Sequence, residues 1–523
     1  MENQRDHGAP TLPDELLSLL FREVVSYGSD NSSFLRPERT SAPLNLSWVN
    51  SQWRRVSLST PELWTSIALP SERSRNANPN PNPANGDAEL LKLYISRSGN
   101  IFSFSFALDY GGLQAEEHRS QEFDNTMEVH IAGMHRLTSI LDAIRHRWRI
   151  TVVQCRSVEA LTILLMSLVL GAPLLEHLLI VISPPSVTQS VESEEDNSRI
   201  EHILDLARCS NLASVVLQCP QLRLNPFLPD DASLGNLTSL AINTSSSQTD
   251  AFTWLQCSPY LEEVSIRFFN APPFMLPHGL PLTLNHLRQV TLICLSGVNE
   301  EPSDPVSFLS LLCLPALRVF RLLMDGSFGS DQGWPHVPNL LRRSGSRTNQ
   351  RFGPPLEELE LLGTPMTMSE LLDILELAPR MKSLAIDDAL TSDDVLQRLS
   401  SPDSSNFRTS DNTQLPMCPG LETLSLHACQ ASLPVLASMV SSRSRRSRTC
   451  ISIVSARETK EDSRIEVDDE CGFRTLKILK LFHSYKSLPP ISECPEFEDC
   501  QKDGLRIVQT PEPSSRNCSV HHQ

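Results

Sequence analysis

A short apolar pattern, L-x-x-L-x-L, recurs along this chain and constrains its fold more than any other feature. In each copy the first apolar side chain enters from a turn. The next two follow at period two along a short strand, so all three point to one side. Between Leu212 and Leu317, successive copies start 25, 24, 26 and 30 residues apart. The ten copies start at Leu175, Leu212, Leu237, Leu261, Leu287, Leu317, Leu356, Met381, Leu421 and Leu476.

This spacing predicts a repeat architecture, because intervals near 25 residues are typical of leucine-rich repeats. Many copies follow a helix and a proline or cysteine, most clearly in "ELLDILELAPRMKSLAI", residues 370–386. An ordinary α/β domain is the alternative, since short leucine patterns arise by chance. Ten copies in one phase favour an α/β solenoid. The usual inward asparagine after the strand is mostly missing, so we expect irregular repeats.

Composition narrows the class of protein further. The chain has 523 residues, 40% of them hydrophobic, which allows two or more domains and a sizeable core. A formal charge of -17 argues against nucleic-acid binding, which needs a basic face. The thirteen cysteines are scattered behind a polar N-terminus, which predicts reduced thiols in the cytoplasm or nucleus.

One apolar stretch, residues 160–182, could be mistaken for a membrane span. Gly171 and Pro173 interrupt it and Glu176 ends its uncharged part, whereas a spanning helix must satisfy every backbone group internally. The sequence therefore predicts a buried helix, a turn and a strand here, and no membrane partner.

The predicted organisation places a small helical domain at residues 11–70, a proline-rich linker at 71–88 and the repeat domain at 89–485. Residues 1–10 and the tail 486–523 have little apolar content, and we expect them to be disordered. A short helix around Leu340 and Leu341 is expected inside the second of four loops. The loops are predicted at 183–198, 325–355, 400–416 and 441–470.

The N-terminal segment contains three helix signals. Thr11 can cap a first helix whose opening turn holds Pro13, Asp14 and Glu15. Its apolar residues recur at helical spacing. They are Leu16, Leu17, Leu20, Phe21 and Val24.

The second and third predicted helices complete this segment. Val49, Trp53 and Val56 fall on one face of the second, and Pro61 starts the third behind a cap at Thr60. Three helices make a very small core, and Trp48, Trp53 and Trp64 supply half of the six tryptophans. Such a segment has apolar surface left over for a partner.

No catalytic motif, phosphate-binding loop or zinc-ligand spacing occurs, so neither enzyme activity nor a cofactor or metal is expected. Two clusters keep alternatives open. Four aspartates between Asp387 and Asp394 could serve in acid–base catalysis, or they could be solvated residues of a loop and of a helix start. "RSRRSR", Arg443–Arg448, suits nuclear import or phosphate binding, or a solvated loop. Cys209, Cys257 and Cys418 precede repeat strands and are expected in the core.

Taken in order, "TLPDELLSLLFREVV", "VNSQWRRVS" and "PELWTSIAL" resemble an F-box. The segments "LLKLYISRSGNIFSFSFAL" and "IRHRWRITVV" further resemble a large F-box-like family of basidiomycete fungi, in which an F-box precedes irregular leucine-rich repeats. The chain departs from the F-box pattern in a polar insertion, residues 26–42, and at Asn50 and Ser51, where many members have a cysteine or serine in the core.

The resemblance implies a substrate receptor of an SCF-type cullin–RING ubiquitin ligase. The F-box would bind a Skp-family adaptor, and through it a cullin, while the repeats hold an unidentified target protein. Some of the implied adaptor-facing residues belong to the F-box core instead. They are Leu12, Pro13, Leu16, Leu17, Leu20, Val49, Trp53 and Trp64.

Two other functions stay open at this point. The first is a repeat scaffold whose F-box binds the adaptor without ubiquitylation. The second is a hydrolase or transferase on an α/β fold, which would need a pocket of convergent titratable groups.

Overall fold

Short parallel strands alternate with helices along the chain in the computed structural model. Two compact units divide it: unit 1 comprises Met1–Ser246 and Thr253–Ser258, and unit 2 comprises Ser247–Phe252 and Pro259–Gln523. The structure describes residues 12–27, 34, 37, 42–69, 83–110, 120–155, 158–182, 201–219, 223–227, 233–244, 247–269, 281–295, 306–324, 334–345, 353–387, 390–400, 417–444, 476–482 and 495–510.

Unit 1 begins with helices and continues as a parallel sheet. Its strands lie in the order β1-β2-β3-β4-β6-β8, with every neighbouring pair parallel, and β5 pairs with β7 separately. The helices are α1 (Asp14–Tyr27), α2 (Leu46–Val49), α3 (Ser51–Ser59), α4 (Pro83–Ser98), α5 (Ser120–Asp142) and α6 (Val158–Val169). The strands are β1 (Ser66–Leu69), β2 (Phe104–Asp109), β3 (Trp148–Cys155), β4 (His177–Ile182), β5 (Glu201–Asp205), β6 (Ser214–Cys219), β7 (Arg223–Phe227) and β8 (Ser239–Thr244).

Unit 2 has the same alternation, and its strands lie in the order β9-β11-β13-β14-β15-β16-β17-β18, again all parallel. β10 and β12 form a separate pair. The strands are β9 (Glu263–Phe269), β10 (Leu282–Thr283), β11 (Gln289–Leu295), β12 (Leu312–Cys313), β13 (Val319–Met324), β14 (Glu358–Leu362), β15 (Ser383–Ile386), β16 (Thr423–His427), β17 (Ile478–Phe482) and β18 (Arg506–Thr510). The helices are α7 (Gln248–Cys257, shared with unit 1), α8 (His336–Ser344), α9 (Met368–Leu377), α10 (Asp393–Leu399), α11 (Leu433–Ser444) and α12 (Pro495–Lys502).

The ten copies of the leucine pattern all coincide with strands, which confirms the predicted α/β repeat architecture. Each strand begins two residues after the first position of its copy, as at Leu237 before β8 and Met381 before β15. The apolar residues at the first, fourth and sixth positions of every copy are buried. Parallel strands need a long crossover connection, which a helix supplies at several steps, such as α9 between β14 and β15, whereas the described residues contain no helix between β4 and β6 or between β6 and β8.

A tight turn sets the entry of the chain into each strand. In six copies the first-position N–H donates to the carbonyl three residues earlier, for example Leu212 to Cys209 at 3.1 Å and Leu421 to Cys418 at 3.1 Å. The residue at that earlier position is buried, which selects a small or apolar side chain. Cys209 and Cys418 are therefore core residues, as predicted, whereas Cys257 lies one residue before its turn and is half-buried.

The N-terminal helices differ from the prediction in two places. Asn50 is extended and its side-chain oxygen accepts from the Trp53 N–H at 2.8 Å, so a helix cap breaks the predicted second helix into α2 and α3. In place of a third helix, Pro61–Trp64 forms a 3-10 turn, and β1 follows it and pairs with β2 from Ser66 opposite Ser105 onward. The β1 strand is too short to show a period in the sequence.

The chain around the predicted linker and tail also contains regular structure. α4 begins inside the predicted linker and ends before Gly99, whose φ of +65° suits a glycine at a helix end. α12 and β18 lie within the tail that we expected to be disordered, so that expectation is wrong for residues 495–510. β18 pairs with β17, with Ile478 opposite Arg506, so the sheet supplies the order that local composition lacks.

The loops are partly described. The predicted short helix at Leu340 and Leu341 is α8, and both residues are buried. The predicted loop 183–198, all of the predicted loop 400–416 except Ser400, and most of the predicted loop 441–470 lie outside the described residues. The apolar stretch 160–182 forms α6, a turn and β4, as predicted. None of the helices that the structure describes combines the length and hydropathy that a membrane span requires.

We predict that Trp64→Ala lowers the free energy of unfolding by about 3–5 kcal/mol. Trp64 is buried, its ring meets the ring of Tyr94 edge-on at 5.1 Å, and its Nε1 donates to the Ser57 carbonyl at 2.8 Å. Denaturant unfolding followed by circular dichroism measures the loss. Trp48→Ala is the matched control: Trp48 is 54% exposed in the same segment, and we expect a cost under about 1 kcal/mol. Equal costs for the two variants would contradict the assigned packing.

Candidate functional site

The first helix, α1, is apolar on two sides. Its inner side buries Leu17 and Phe21, one turn apart, against the rest of the N-terminal segment. Its outer side exposes a stripe of five apolar residues at helical spacing, Leu12, Leu16, Leu19, Leu20 and Val24. We refer to these five as the α1 stripe. The side chains of the α1 stripe are between 43% and 55% exposed, and an exposed apolar stripe of this kind is typical of a surface that binds a partner.

Polar contacts hold α1 in place on α3. The Gln52 side-chain amide donates to the Leu12 carbonyl at 2.8 Å and to the Asp14 carboxylate at 3.0 Å. Arg55 forms an ion pair with Asp14 at 2.7 Å. The hydrogen bond from Gln52 and then the one from Arg55 lower the pKa of Asp14 below its ordinary value. The α1 stripe is thus presented by a helix that is anchored at its N-terminal end.

Aromatic packing anchors the same helix from inside. The rings of Phe21 and Trp53 lie 5.0 Å apart, and Arg22 reaches Glu62 at 2.7 Å. Trp64 then connects this segment to Tyr94 on α4. These contacts hold α1 against α3 and the Pro61–Trp64 turn, with the α1 stripe on the outer side.

The structure separates the eight residues predicted to face an adaptor. Leu12, Pro13, Leu16, Leu20 and Val49 are exposed, Trp53 is half-buried, and Leu17 and Trp64 are buried in the core. Three further exposed apolar residues were not among the eight. Leu19 and Val24 follow the same helical period as Leu16 and Leu20, which was a usable signal. Trp48 is exposed because the cap at Asn50 ends α2.

The open faces of the two sheets differ in chemistry. In unit 1 the strand register aligns one uncharged row across six strands: Ala68, Ala107, Val152, Leu179, Val216 and Ala241. In unit 2 the corresponding row is polar: Ser265, Thr291, Arg321, Glu360, Ala385, Ser425, Lys480 and Val508. Arg321 pairs with Glu358 at 2.6 Å and approaches Glu360 at 3.6 Å. Most residues of the two rows are half-buried, whereas Ala68, Ala107 and Ser425 are buried.

The acidic cluster near β15 stabilises loops. The Asp387 carboxylate accepts from the Gly363 N–H. The Asp393 carboxylate accepts from the N–H and the hydroxyl of Ser432, at 2.7 and 3.0 Å. Asp388 lies outside the described residues. Of the two alternatives that the sequence left open, the contacts of Asp387 and Asp393 fit a structural role in the turns.

The first arginine of "RSRRSR" is a structural residue. Arg443 belongs to the last turn of α11, is buried, and donates to three backbone carbonyls: Leu399 at 2.8 Å, Cys418 at 3.0 Å and Met417 at 2.7 Å. It therefore satisfies a loop rather than binding an external phosphate. Residues 445–448 lie outside the described residues.

The thiols and acids offer no metal centre in the described part of the chain. The nine cysteines described there are all free thiols. No group of three or more His, Cys, Asp or Glu side chains among the described residues could hold a metal ion. Burial raises the pKa of Cys219 and of Cys418 to about 12, which disfavours the thiolate that a metal ligand or nucleophile requires.

Comparison with known proteins does not assign the chain to a family. No protein-family model matches the chain, and no curated protein matches it either.

We predict that Arg443→Met lowers the free energy of unfolding by about 3 kcal/mol or more, because it leaves buried carbonyls without a charged donor. Arg443→Lys should recover only part of this loss, since an ammonium cannot reproduce the planar fork of donors. Denaturant unfolding measures both. Arg342→Met is the control: Arg342 is an exposed arginine paired with Asp373 at 2.7 Å, and we expect a loss under about 1 kcal/mol. An Arg443→Met loss no larger than the control's would contradict the structural role.

We also predict an order of thiol alkylation in the native protein. With a pKa near 12, a thiol is ionised in only about one molecule in ten thousand at pH 8. Cys219 and Cys418 should therefore react only after unfolding, whereas the half-buried Cys257 and Cys313 react first. Peptide mapping by mass spectrometry after timed iodoacetamide exposure measures the order. Early labelling of Cys418 would contradict its assigned burial.

Proposed function

We propose that this protein is the substrate-recognition subunit of an SCF-type cullin–RING ubiquitin ligase. In this proposal residues 12–69 act as an F-box that binds a Skp-family adaptor, and the repeats bind a target protein. The observation that carries the proposal is the exposed α1 stripe, on a segment whose sequence resembles an F-box.

The α1 stripe supports a protein partner for a physical reason. An amphipathic helix whose apolar side faces water is suited to a hydrophobic groove, with anchors spaced by three or four residues. Leu12, Leu16 and Leu20 have this spacing and are about half exposed. Their burial in a groove releases a favourable free energy that the isolated chain cannot obtain.

The eight predicted residues would then divide into two roles. Leu12, Pro13, Leu16, Leu20 and Val49 are our proposed adaptor contacts, because their side chains are exposed. The buried Leu17 and Trp64, and the half-buried Trp53, would support them from behind. Leu19, Val24 and Trp48 join the proposed contacts on the same criterion of exposure.

In this proposal the repeats bind and position the target protein and do not catalyse a reaction themselves. Their open strand faces carry an uncharged row in unit 1 and a mostly polar row in unit 2, and these rows are our proposed surfaces for a target protein. A receptor of this kind raises the effective concentration of a target lysine near the charged conjugating enzyme. A scaffold that binds the adaptor without ubiquitylation would use the same contacts, so only its wider complex distinguishes it.

We predict that replacing both Leu16 and Leu20 by Asp reduces recovery of the Skp-family adaptor at least tenfold, or about 1.4 kcal/mol, because charges would be buried in an apolar contact. Affinity purification of the full chain from cells, with quantitative mass spectrometry, measures adaptor and cullin together. Ile101→Asp, which adds a charge at an exposed apolar residue outside the segment, is the control and should keep the adaptor.

The outcomes separate the functions. Equal adaptor recovery from the doubly substituted chain and the control would overturn the F-box assignment. Adaptor without cullin would overturn the ligase function and favour the scaffold. Adaptor with cullin, both lost on substitution, supports the ligase.

A further inference from the structure

A second apolar stripe lies on α6 and is separate from the α1 stripe. Ile163 is half-buried, and Met166 and Leu170 are 63% and 50% exposed. Leu170 directly follows the last residue of α6, and the three lie at i, i+3 and i+7, which is the spacing of one helix face. Val169 and Leu174 extend the exposed apolar surface, and we call the five residues the α6 stripe. The opposite side of α6 is buried in the core through Leu161, Leu164, Leu165 and Leu168.

Opposite charges lie at the two ends of the α6 stripe. Glu159 is exposed in the first turn of α6. Arg208 is exposed at the other end, where its side chain packs on Gly171: a Cβ added to Gly171 would lie 2.7 Å from the Arg208 Cβ. Neither Glu159 nor Arg208 has an ion-pair partner among the residues that the structure describes.

This arrangement is self-complementary. A helix rises 1.5 Å per residue, so Glu159 and the end of α6 at Val169 are about 15 Å apart along the axis, and the Gly171–Arg208 contact follows just beyond that end. Met166 lies near the middle of the surface between Glu159 and this contact. If a second copy of the chain packed its α6 antiparallel to the first, about a two-fold axis near Met166, the α6 stripe of one copy would contact the α6 stripe of the other. Each Glu159 would then face Arg208 of the second copy, so the contact is satisfied twice.

We propose that the α6 stripe is a homodimer surface, on which two copies of this chain pair α6 antiparallel. Charge complementarity favours a second copy of this chain. A partner whose surface is wholly acidic would repel Glu159, and one whose surface is wholly basic would repel Arg208. Met166 at the centre suits the role, since methionine adapts to a partner surface and both Met and Arg are enriched at interfaces. This dimer is independent of adaptor binding by the α1 stripe.

Analytical ultracentrifugation of the full chain over a wide concentration range tests the dimer. We expect the mass to rise from monomer to dimer with concentration. Met166→Asp should raise the dimer dissociation constant at least about a hundredfold, because the two-fold axis buries the new charges against each other. Ile101→Asp is the matched control: Ile101 is 92% exposed in a turn of the same unit and should leave dimerisation unchanged. Circular dichroism melting confirms that both variants fold.

A charge exchange tests the orientation. Glu159→Arg and Arg208→Glu should each raise the dissociation constant about tenfold, and combining them should restore dimerisation by re-forming the pair with reversed signs. A wild-type chain that stays monomeric at the highest concentration overturns the proposal. So does a dimer that Leu16→Asp dissolves and Met166→Asp leaves intact, since that result assigns self-association to the α1 stripe. Failure of the double exchange to restore the dimer overturns the antiparallel pairing.

Discussion

Each repeat must bury three apolar side chains on one side of a strand of four to seven residues, and this requirement governs the fold. Neighbouring strands run parallel, so a tight hairpin cannot join them and a helix or long loop must return the chain. In six of the ten copies a turn before the strand fixes where burial begins: the first-position N–H donates back three residues, as at Met381 to Ala378. Once that turn is set, the period of two along the strand determines which residues face the core.

The same constraint explains how the N-terminal segment is held. A stack of parallel strands needs its terminal strand covered or supplied by a neighbouring element. In unit 1 the last strand of the row is β1, which the N-terminal segment itself provides, and among the described strands β1 pairs with β2 alone. Trp64, directly before β1, packs on Tyr94 of α4. The α1 stripe is therefore attached to the first repeats by a strand and an aromatic contact, in addition to the chain between residues 70 and 82.

The sequence predicts correctly the elements whose structure is determined by a local residue pattern. The ten repeat strands and α9, with its capping box of Thr367 and Glu370, were readable because each has several matching signals. β1 and β18 were missed because pairing with a distant strand, not their own composition, makes them strands. Asn50 shows the opposite failure, where one side-chain cap outweighs a favourable helical period. The α1 stripe was anticipated in part, but its inward and outward residues could be separated only by packing, which buries Leu17 and exposes Leu16.

Several residues that the sequence offered as candidate catalytic or binding groups instead stabilise the loops and turns of the repeats. Asp387 and Asp393 accept from loop N–H groups, Arg443 satisfies three carbonyls, and Cys418 fills a turn. Irregular repeats have loops of unequal length, and each loop leaves backbone groups that a buried side chain must pair. In the described part of the chain, the features left without an internal partner therefore include the exposed apolar side chains of the α1 and α6 stripes. We propose an adaptor for the α1 stripe and a second copy of the chain for the α6 stripe, and these two proposals place the partners on different helices of unit 1.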